Sequence, residues 1–321
     1  MPKVKPIAPP GTRTRTTFNI TLKTTPKTLA ELNVLPPLPF RNPYLIPWED
    51  PPDAPGRPYR TNAADIHSHV LPNLDDGAIC MEESLELLRL DREEGVRTVF
   101  ATPHYGKENG FAPTTADTFT VFNRLQAAAK KTCPEIELYF GTEWYCSENI
   151  VERIRSKEAW PMMPSDWYMV EFMEWRGNTE PAETILRRLK KLKDNHIKTI
   201  LAHAERYTAL QEDRDLAKRI CDMGVLLQVN AFDLQMNTNE DTRNLAQWMA
   251  KEHLISFLGS DMHGIRPGRR FPKMRKGIRW LYENVEEDYA NDVVRRNAEK
   301  YLGIPKLKEE AENPETNQLL P

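Results

Sequence analysis

The chain has 321 residues, of which 40% are hydrophobic and 9% aromatic, so it can bury a full core in one large domain or two smaller ones. Its net charge of −3 and pI of about 6.2 exclude the global positive field that recruits nucleic acid by counterion release, so we predict no nucleic-acid partner. No apolar run approaches the ~20 residues that span a bilayer, and the N-terminus does not lead into a signal-peptide core, so we predict no membrane span and a cytoplasmic location.

The four cysteines are spread singly along the chain, which argues against a disulfide framework and against a zinc ribbon. We expect them to be buried, reduced and inert. A phosphatase with a cysteine nucleophile also needs an arginine at a fixed position after that cysteine, where it completes the phosphate-binding loop. The cysteines are Cys80, Cys133, Cys146 and Cys221, and the residues at the corresponding positions are Glu86, Tyr139, Glu152 and Leu227. Any phosphate chemistry here must therefore use another nucleophile.

Composition divides the chain into three predicted regions. Residues 1–62 hold 14 of the 26 prolines and an excess of basic over acidic residues, without a helical period, so we predict an irregular proline-rich N-terminal arm. Two interpretations of this arm stay open: a draped or disordered tail, and a docking arm for a partner or another subunit. Residues 306–321 are polar and predicted to form a C-terminal tail, which leaves 63–305 as the folded domain.

From residue 63 onward, short apolar runs alternate with amphipathic segments, a pattern typical of a parallel α/β fold. Apolar residues at helical spacing predict helices that include 85–90, 185–192 and 245–249, and Pro181 predicts the first turn of the second of these. Seven strand–helix units predict a distorted barrel related to the eightfold one. The predicted strands are 63–69, 97–102, 136–142, 167–172, 198–203, 225–230 and 255–260.

Histidines and acidic residues recur where these predicted strands end. The first strand ends with His67 and His69, which the period of two along a strand points to the same side, as a metal chelate requires. This pair alone is weak evidence for a metal site, since two histidines on a solvent-exposed strand face show the same spacing. The pattern becomes specific because five of the seven histidines, together with acidic residues, follow strands: His67, His69, His104, Glu143, Glu171, His203, Asp261 and His263.

A carboxylate pair follows the first predicted strand, in the turn Asp75-Asp76-Gly77. One interpretation is a helix-capping turn. In the other, Asp76 is a metal ligand or a proton donor to the leaving group, and Asp75 orients the loop. His196 and His253, the two remaining histidines, lie near helix ends on the opposite rim and are interpreted as capping or surface residues.

The predicted strand ends meet at one mouth, the place where barrel active sites form. Buried carboxylates there need partners or a metal, and mixed imidazole and carboxylate ligation suits Mn, Fe or Zn. Because the candidate ligands are too many for one ion, we predict two or three, which together with water are suited to hydrolysis of phosphate esters.

Arginines at the same mouth are candidates for phosphate binding. Arg206 lies three residues after His203, where its planar fork could hold two phosphate oxygens. Arg266, Arg269 and Arg270 follow the last strand and add cations. The alternative for each arginine is a surface salt bridge.

These motifs resemble the polymerase and histidinol phosphatase (PHP) superfamily, and within it the manganese-dependent bacterial protein-tyrosine phosphatases of the CpsB/CapC type, associated with capsule and exopolysaccharide loci. The resemblance covers roughly residues 63–305, and six separated motifs occur in family order. They are Asp65-Ile-His-Ser-His-Val-Leu-Pro-Asn-Leu-Asp-Asp-Gly-Ala, Ala-Thr-Pro-His104, Gly-Thr-Glu143, Glu171-Phe, Ala-His203-Ala-Glu-Arg206-Tyr and Ser-Asp261-Met-His263.

The resemblance implies a distorted seven-stranded (β/α)7 barrel of the PHP type, a site for two or three Mn²⁺ ions with Fe or Zn as alternatives, and hydrolysis of phosphotyrosine. The implied substrate is the tail of a bacterial tyrosine kinase that regulates capsule or exopolysaccharide synthesis. The implied metal ligands are His67, His69, Asp76, His104, Glu143, Glu171, His203, Asp261 and His263.

Two points of the resemblance are incomplete. Arg206 would hold the phosphate, but the second family arginine follows the Asp-x-His motif at a spacing one residue shorter than here, so Arg269 and Arg270 are both candidates. Family members generally begin at the first strand. The proline-rich arm is therefore a departure that leaves the partner and the oligomeric state open, a homo-oligomer included.

Two alternative functions are weighed against this one. A histidinol-phosphate or other small-molecule phosphatase would use the same scaffold, although such members usually open with a different motif. A non-catalytic binding protein would recognise its partner through the arm, with Pro36-x-x-Pro39 and Pro55-x-x-Pro58. An amidohydrolase with a carbamylated lysine is disfavoured, because Glu143 and Glu171 stand at the corresponding strand ends.

Overall fold

The structure is a computed structural model that describes residues 62–106, 110–175, 178–235 and 239–306. The predicted proline-rich arm, with both of its Pro-x-x-Pro segments, and the predicted C-terminal tail lie outside the described residues, except for Asn62 and Lys306.

Each of the seven predicted strand regions contains a strand. These segments are rich in Val, Ile, Leu and aromatic residues and are largely buried on both faces, as strands of a parallel sheet covered by helices must be. The strands within the described residues are β1 (Ala63–Ser68), β2 (Val96–Ala101), β3 (His104–Tyr105), β4 (Glu137–Phe140), β5 (Glu143–Tyr145), β6 (Trp167–Glu171), β7 (Glu174–Trp175), β8 (Asn178–Thr179), β9 (Lys198–Leu201), β10 (Leu226–Asn230) and β11 (Ile255–Gly259).

Pairing between these strands is parallel except in the small β7–β8 hairpin. One sheet has the order β1-β2-β4 and the other the order β11-β10-β9-β6-β5-β3. The first and last strands also meet, because Ser68 and Met262 form a parallel bridge and the Asp261 amide donates to the His67 carbonyl at 2.8 Å. The predicted parallel α/β fold is confirmed.

Helices cover the strands, and the three that apolar spacing predicted are α1 (Met81–Glu93), α4 (Ala182–Asp194) and α8 (Glu240–Lys251). Pro181 is the N-cap residue of α4 rather than part of its first turn, so that prediction was wrong by one position. The helices of the described residues are α1 (Met81–Glu93), α2 (Thr115–Thr132), α3 (Ile150–Arg155), α4 (Ala182–Asp194), α5 (Thr208–Glu212), α6 (Asp215–Asp222), α7 (Ala231–Gln235), α8 (Glu240–Lys251), α9 (Met274–Asn284) and α10 (Glu287–Asn291). A 3-10 turn occupies Ala204–Arg206, and π-helical segments occupy Asp292–Arg296 and Ala298–Leu302.

Two helix ends place the histidines that the sequence assigned to the surface. His196 follows α4 and His253 follows α8, each exposed and in the left-handed conformation, with φ of 58° and 55°. This conformation is common just past a helix end, so the surface interpretation is confirmed.

The cysteines are all free thiols, as expected, but they are not all buried. Cys133 and Cys146 are buried, and burial raises the pKa of the Cys146 thiol to about 12, which makes it a poor nucleophile. Cys80, which precedes α1, is exposed and Cys221 is only half-buried, so the expectation of burial was wrong for these two residues. Among the described residues, no helix combines the length and the apolar character needed to cross a bilayer.

Candidate metal centre

The strand ends bring the predicted ligands together. His67 lies near the end of β1, while His104 and Glu143 begin β3 and β5 and pair with each other in register. Glu171 ends β6, opposite Tyr145 of β5. The remaining members of the set follow β1, β9 and β11, and every member except Asp76 is buried: His67, His69, Asp76, His104, Glu143, Glu171, His203, Asp261 and His263.

Unusual backbone geometry turns two of these side chains toward the others. His203 and Asp261 lie two residues past the ends of β9 and β11 and adopt positive φ angles of 33° and 51°. Such conformations cost free energy in non-glycine residues and persist where the surrounding structure holds them. Gly259, at the end of β11, lets this strand approach β1 closely, since a Cβ at Gly259 would lie 2.6 Å from the Cβ of His67.

The His67 and His69 rings face each other with their Nε2 atoms only 3.2 Å apart. Each Nδ1 contacts an oxygen that can only accept: His67 Nδ1 lies 2.9 Å from Gln228 Oε1, and His69 Nδ1 lies 2.7 Å from Asp75 Oδ2. Both Nδ1 atoms therefore carry a hydrogen, and the Nε2 atoms are the ones that can bind a cation. Burial opposes a charge on either ring, but Glu143 raises the pKa of His67 and Asp75 raises that of His69, so without metal the two Nε2 atoms compete for a proton. With Glu143 Oε2 at 3.4 Å from each Nε2, this arrangement fits a divalent cation.

Three overlapping groups of ligand atoms have the spacing that metal ions require. Within each group the atoms lie within 4.8 Å of one another, and His69, His104 and Glu143 each belong to two groups. Shared ligands are the arrangement expected for neighbouring ions. The groups are His67, His69 and Glu143; His69, Asp76, His104 and His263; and His104, Glu143 and Glu171.

His203 and Asp261 lie outside these three groups but contact their members. His203 Nε2 is 2.9 Å from Glu143 Oε1. Asp261 Oδ1 is 3.5 Å from His69 Nε2 and 3.7 Å from the corresponding atom of His67. The structure thus brings all nine predicted residues into one continuous cluster.

Neighbouring charged side chains keep two buried carboxylates of the cluster ionised. Burial alone would raise the pKa of Glu143, but His67 and His104 hold it well below its usual range. Burial likewise opposes ionisation of Asp261, and Arg270 and His67 outweigh it and lower the pKa. These carboxylates are ionised at neutral pH, and neutral imidazoles and ionised carboxylates are the forms that bind metals.

Two histidines of the cluster have pKa values that are shifted in opposite directions. Burial disfavours a charged His104, yet the carboxylates of Glu143 and Glu171 raise its pKa to about 9. His263 is the opposite case, since burial and the neighbouring His69 lower its pKa to about 4. The cluster without metal therefore holds protons that a metal would displace.

A cavity of about 640 Å³ opens onto the cluster. Its cationic side is formed by Arg206, Arg269 and Arg270. Tyr145, Phe172 and Met173 form an apolar part of its lining.

Each arginine is held by a carboxylate of the cluster. Arg206 Nη1 lies 3.0 Å from Asp261 Oδ2. Arg270 binds the same aspartate twice, to its carboxylate and to its carbonyl oxygen, both at 2.9 Å. Arg269 makes a longer contact of 3.4 Å with Asp76. Arg206 and Arg270 thus share Asp261, and all three arginines line the same cavity.

Several residues that position the cluster were missed by the sequence reasoning. Gln228 accepts from His67 and from the backbone amide of His203, and donates to Asn230, whose amide reaches Asp261 at 3.2 Å. The available signal was a polar residue inside the buried apolar strand β10. Asp75, expected to orient its loop, also binds the His69 ring and the His104 amide.

A family model and the relatives of similar sequence point to the same family. A family model described as capsular polysaccharide synthesis, CpsB/CapC, matches residues 63–303. The tyrosine-protein phosphatase CpsB of Streptococcus agalactiae serotype V is 27% identical over 246 residues, which cover 74% of this chain and 97% of CpsB. The tyrosine-protein phosphatase YwqE of Bacillus subtilis is 24% identical over 207 residues, which cover 63% of this chain and 78% of YwqE.

A solved structure shares the fold. It comes from a study of YwqE from Bacillus subtilis and CpsB from Streptococcus pneumoniae, described as unique metal-dependent tyrosine phosphatases. Its TM-score is 0.67 at 20% identity, and the match covers 76% of this chain and 96% of the solved one. With the family model matching 63–303, this chain belongs to the CpsB/CapC family of capsular polysaccharide synthesis.

Proposed function

We propose that this chain is a metal-dependent phosphatase that hydrolyses phosphotyrosine on protein. The observation that carries the proposal is the continuous cluster of imidazoles and carboxylates, arranged in three overlapping groups beside three arginines of one cavity. The names of its relatives support the same activity. The family's place in capsular polysaccharide synthesis supports a bacterial tyrosine kinase of capsule or exopolysaccharide synthesis as the substrate protein.

The nine clustered residues are proposed as the metal ligands, with Mn²⁺ as the ion and Fe or Zn as alternatives. The donors are imidazole nitrogens and carboxylate oxygens without thiolates, which suits these ions. Two or three ions would use the three groups, through their shared members. Burial would raise the pKa of Asp76, but its neighbours, His263 first among them, hold it far below the usual range, which favours a ligand over a proton donor.

When bound, the ions would supply an activated water and neutralise charge on the phosphate. Arg206 binds equatorial phosphate oxygens through its fork, and Arg269 or Arg270 adds a second contact. Tyr145, Phe172 and Met173 offer the phenyl ring of phosphotyrosine an apolar surface that excludes water. Phenolate is a comparatively good leaving group, so a strong general acid is not required.

The proposal also covers the fold of the domain and the two terminal regions. The sequential parallel pairing and the bridge between Ser68 and Met262 support a distorted seven-stranded (β/α)7 barrel over 63–305, in which β2 with β3, and β4 with β5, count as one strand each. We retain the regions 1–62 and 306–321 as arm and tail. A cytoplasmic location is proposed from the sequence alone, to be tested by cell fractionation. The arm leaves the oligomeric state open, a homo-oligomer included, and light scattering measures it.

Phosphate release on chelator-treated protein, with and without added Mn²⁺, tests the function. The substrates are a phosphotyrosine peptide, a phosphoserine peptide and histidinol phosphate. We expect release from phosphotyrosine only, and only with metal. A preference for histidinol phosphate would move the function to small-molecule metabolism. Arg206→Ala should lose about 100-fold in kcat/KM while retaining its metal, since this arginine binds phosphate rather than the ions.

A further inference from the structure

Glu83 carries a buried carboxylate outside the ligand cluster. It lies in the first turn of α1 and is 5% exposed. Its Oε2 accepts from the Ile79 amide at 2.9 Å, and its Oε1 accepts from the Ile265 amide and from Arg266 Nε, both at 3.0 Å. A charge buried this deeply needs such partners. Glu83 therefore joins the loop that precedes α1 to the loop that follows β11.

Arg266 completes this connection. Besides its contact with Glu83, its Nη2 donates to the Gly77 carbonyl oxygen at 2.8 Å. Gly264 makes the approach feasible, because a Cβ there would lie 2.7 Å from Glu83 Oε1, and its φ of 151° is costly for any other residue. Glu83 and Arg266 together form what we call the loop brace.

The two braced loops carry groups of the proposed active site. Asp76 directly precedes Gly77 and is the most exposed of the proposed ligands, with 38% of its side chain accessible. Its Oδ1 lies 3.5 Å from ring nitrogens of His104 and His263. Arg269, on the other loop, contacts the same carboxylate. A partly exposed ligand on a loop depends on that loop being fixed.

We propose that Glu83 and Arg266 are positioning residues that hold Asp76 against the His69, His104 and His263 group and fix the phosphate-binding arginines beside it. This inference rests on the proposed function. Neither residue belongs to a ligand group or lines the cavity, so they act through the loops. Since Asp76 belongs to one group only, loss of the brace should weaken that group and spare the other two.

Arg266→Ala in the full chain tests the brace, with Arg92→Ala as the matched control. The two arginine side chains are similarly exposed, 33% and 30%, and each pairs with a glutamate, but Arg92 lies in the last turn of α1. After chelator treatment, Mn²⁺ titration by calorimetry should show one binding step of Arg266→Ala weakened about tenfold or more, with the other steps unchanged. Arg266→Lys should recover only part of this, because one ammonium cannot reproduce a planar fork that reaches both Glu83 and Gly77.

Two outcomes would overturn the proposal: a titration of Arg266→Ala that overlays the Arg92→Ala control, or equal weakening of every step. Glu83→Gln provides the second variant, since it removes the charge but keeps an acceptor, and should reproduce the selective loss. The titration requires no turnover. Protein that binds Mn²⁺ normally yet leaves phosphotyrosine uncut would refute the proposed function and leave the brace standing.

Discussion

Gln228 decides which nitrogen of His67 faces the cluster. Its carbonyl oxygen is held in place because it also accepts from the His203 amide at 2.8 Å, while its amide donates to Asn230. The acceptor therefore fixes the hydrogen on His67 Nδ1 and leaves Nε2 free to bind a cation. The tautomer of a proposed ligand thus depends on a residue 161 positions away in the sequence.

Gln228→Leu should therefore weaken Mn²⁺ binding by about 10- to 100-fold and lower the free energy of unfolding by about 1–3 kcal/mol, because the His67 ring and the His203 amide lose their acceptor. Calorimetric titration and urea unfolding measure the two effects. Gln126→Leu is the control, since Gln126 donates to the Leu138 carbonyl away from the cluster. Wild-type affinity in Gln228→Leu would show that the tautomer is set by other means.

The raised pKa of His104 predicts a pH dependence of the metal-free protein. Burial lowers this pKa, but Glu143 and Glu171 raise it to about 9, against 6.5 for an ordinary histidine. Because the folded-state pKa of His104 lies above the unfolded one, its protonation stabilises the folded state fully below pH 6.5. That stabilisation is lost as the pH rises through about 9. The contribution is on the order of 3 kcal/mol.

Urea unfolding of chelator-treated protein at pH 6 and pH 9 measures this loss. His104→Gln should reduce the difference between the two pH values, because the titrating group is gone. Mn²⁺-loaded protein should not show the same loss, since a ligating imidazole carries no proton for the pH to remove. An unchanged pH dependence in His104→Gln would assign the effect to other groups.

The sequence was sufficient to locate the nine clustered residues, but not to identify the residues that hold them in position. Their signal was position, since polar residues that end apolar strands are conspicuous. Glu83 gave no such signal, because an acidic residue in the first turn of a helix looks like an ordinary dipole partner. Its contacts with Ile265 and Arg266 span about 180 positions and follow only from the folded chain.

At the scale of elements, the seven predicted strands exist, but β2 and β4 are each followed by a short further strand, β3 and β5, that lies beyond the predicted bounds. Thr102 and Pro103 separate β2 from β3, and proline supplies no N–H to a sheet. Pairing therefore passes from one sheet to the other at this point, with His104 opening the new strand. The β7–β8 hairpin was not predicted either, because strands of two residues are too short to display a periodic pattern.

Helix α9 lies so close to α7 that Gly277 has no room for a side chain. A Cβ there would be 2.1 Å from the Ala231 carbonyl oxygen. Helix propensity alone predicts that Gly277→Ala stabilises by roughly 0.5–1 kcal/mol. Overpacking against rigid backbone costs about 1–3 kcal/mol, so we expect a net loss of stability.

Thermal unfolding of Gly277→Ala checks the sign. The midpoint should fall, whereas the Mn²⁺ titration should keep its wild-type number of steps, because the atoms nearest to a side chain at this position belong to Ala231 and not to a proposed ligand. A rise in the midpoint would mean that α9 can move away from α7 at little cost.

At the scale of the whole molecule, the alternation of apolar and amphipathic segments was enough to predict a parallel α/β fold, because that alternation is the fold's local signature. The contact between β1 and β11 could not be predicted from the sequence, since it joins residues at opposite ends of the domain. Asp65 strengthens this contact by accepting from the amide and the hydroxyl of Ser260, at 2.8 and 2.5 Å.

The proposed ligands come from six of the seven strand regions, all except that of β10, which predicts that metal stabilises the fold as a whole. His67 and His69 belong to the first strand region, and Asp261 and His263 to the last, so ions bound among them would clamp the contact between β1 and β11. A ligand present at about 100 times its Kd adds about 2.7 kcal/mol to the native state. For a domain of this size that corresponds to a rise in Tm of roughly 5–10 °C.

Differential scanning calorimetry of chelator-treated protein with increasing Mn²⁺ measures this rise, which should continue with concentration. In the His67→Ala, His69→Ala double variant the shift should shrink but not vanish, because the group of His104, Glu143 and Glu171 remains intact. Equal midpoints for the wild type with and without Mn²⁺ would refute ion binding at the cluster. Equal shifts in wild type and double variant would mean that the ions stabilise the fold from the group formed by β3, β5 and β6 alone, and that the β1–β11 contact is held by Asp65 and Ser260 without their help.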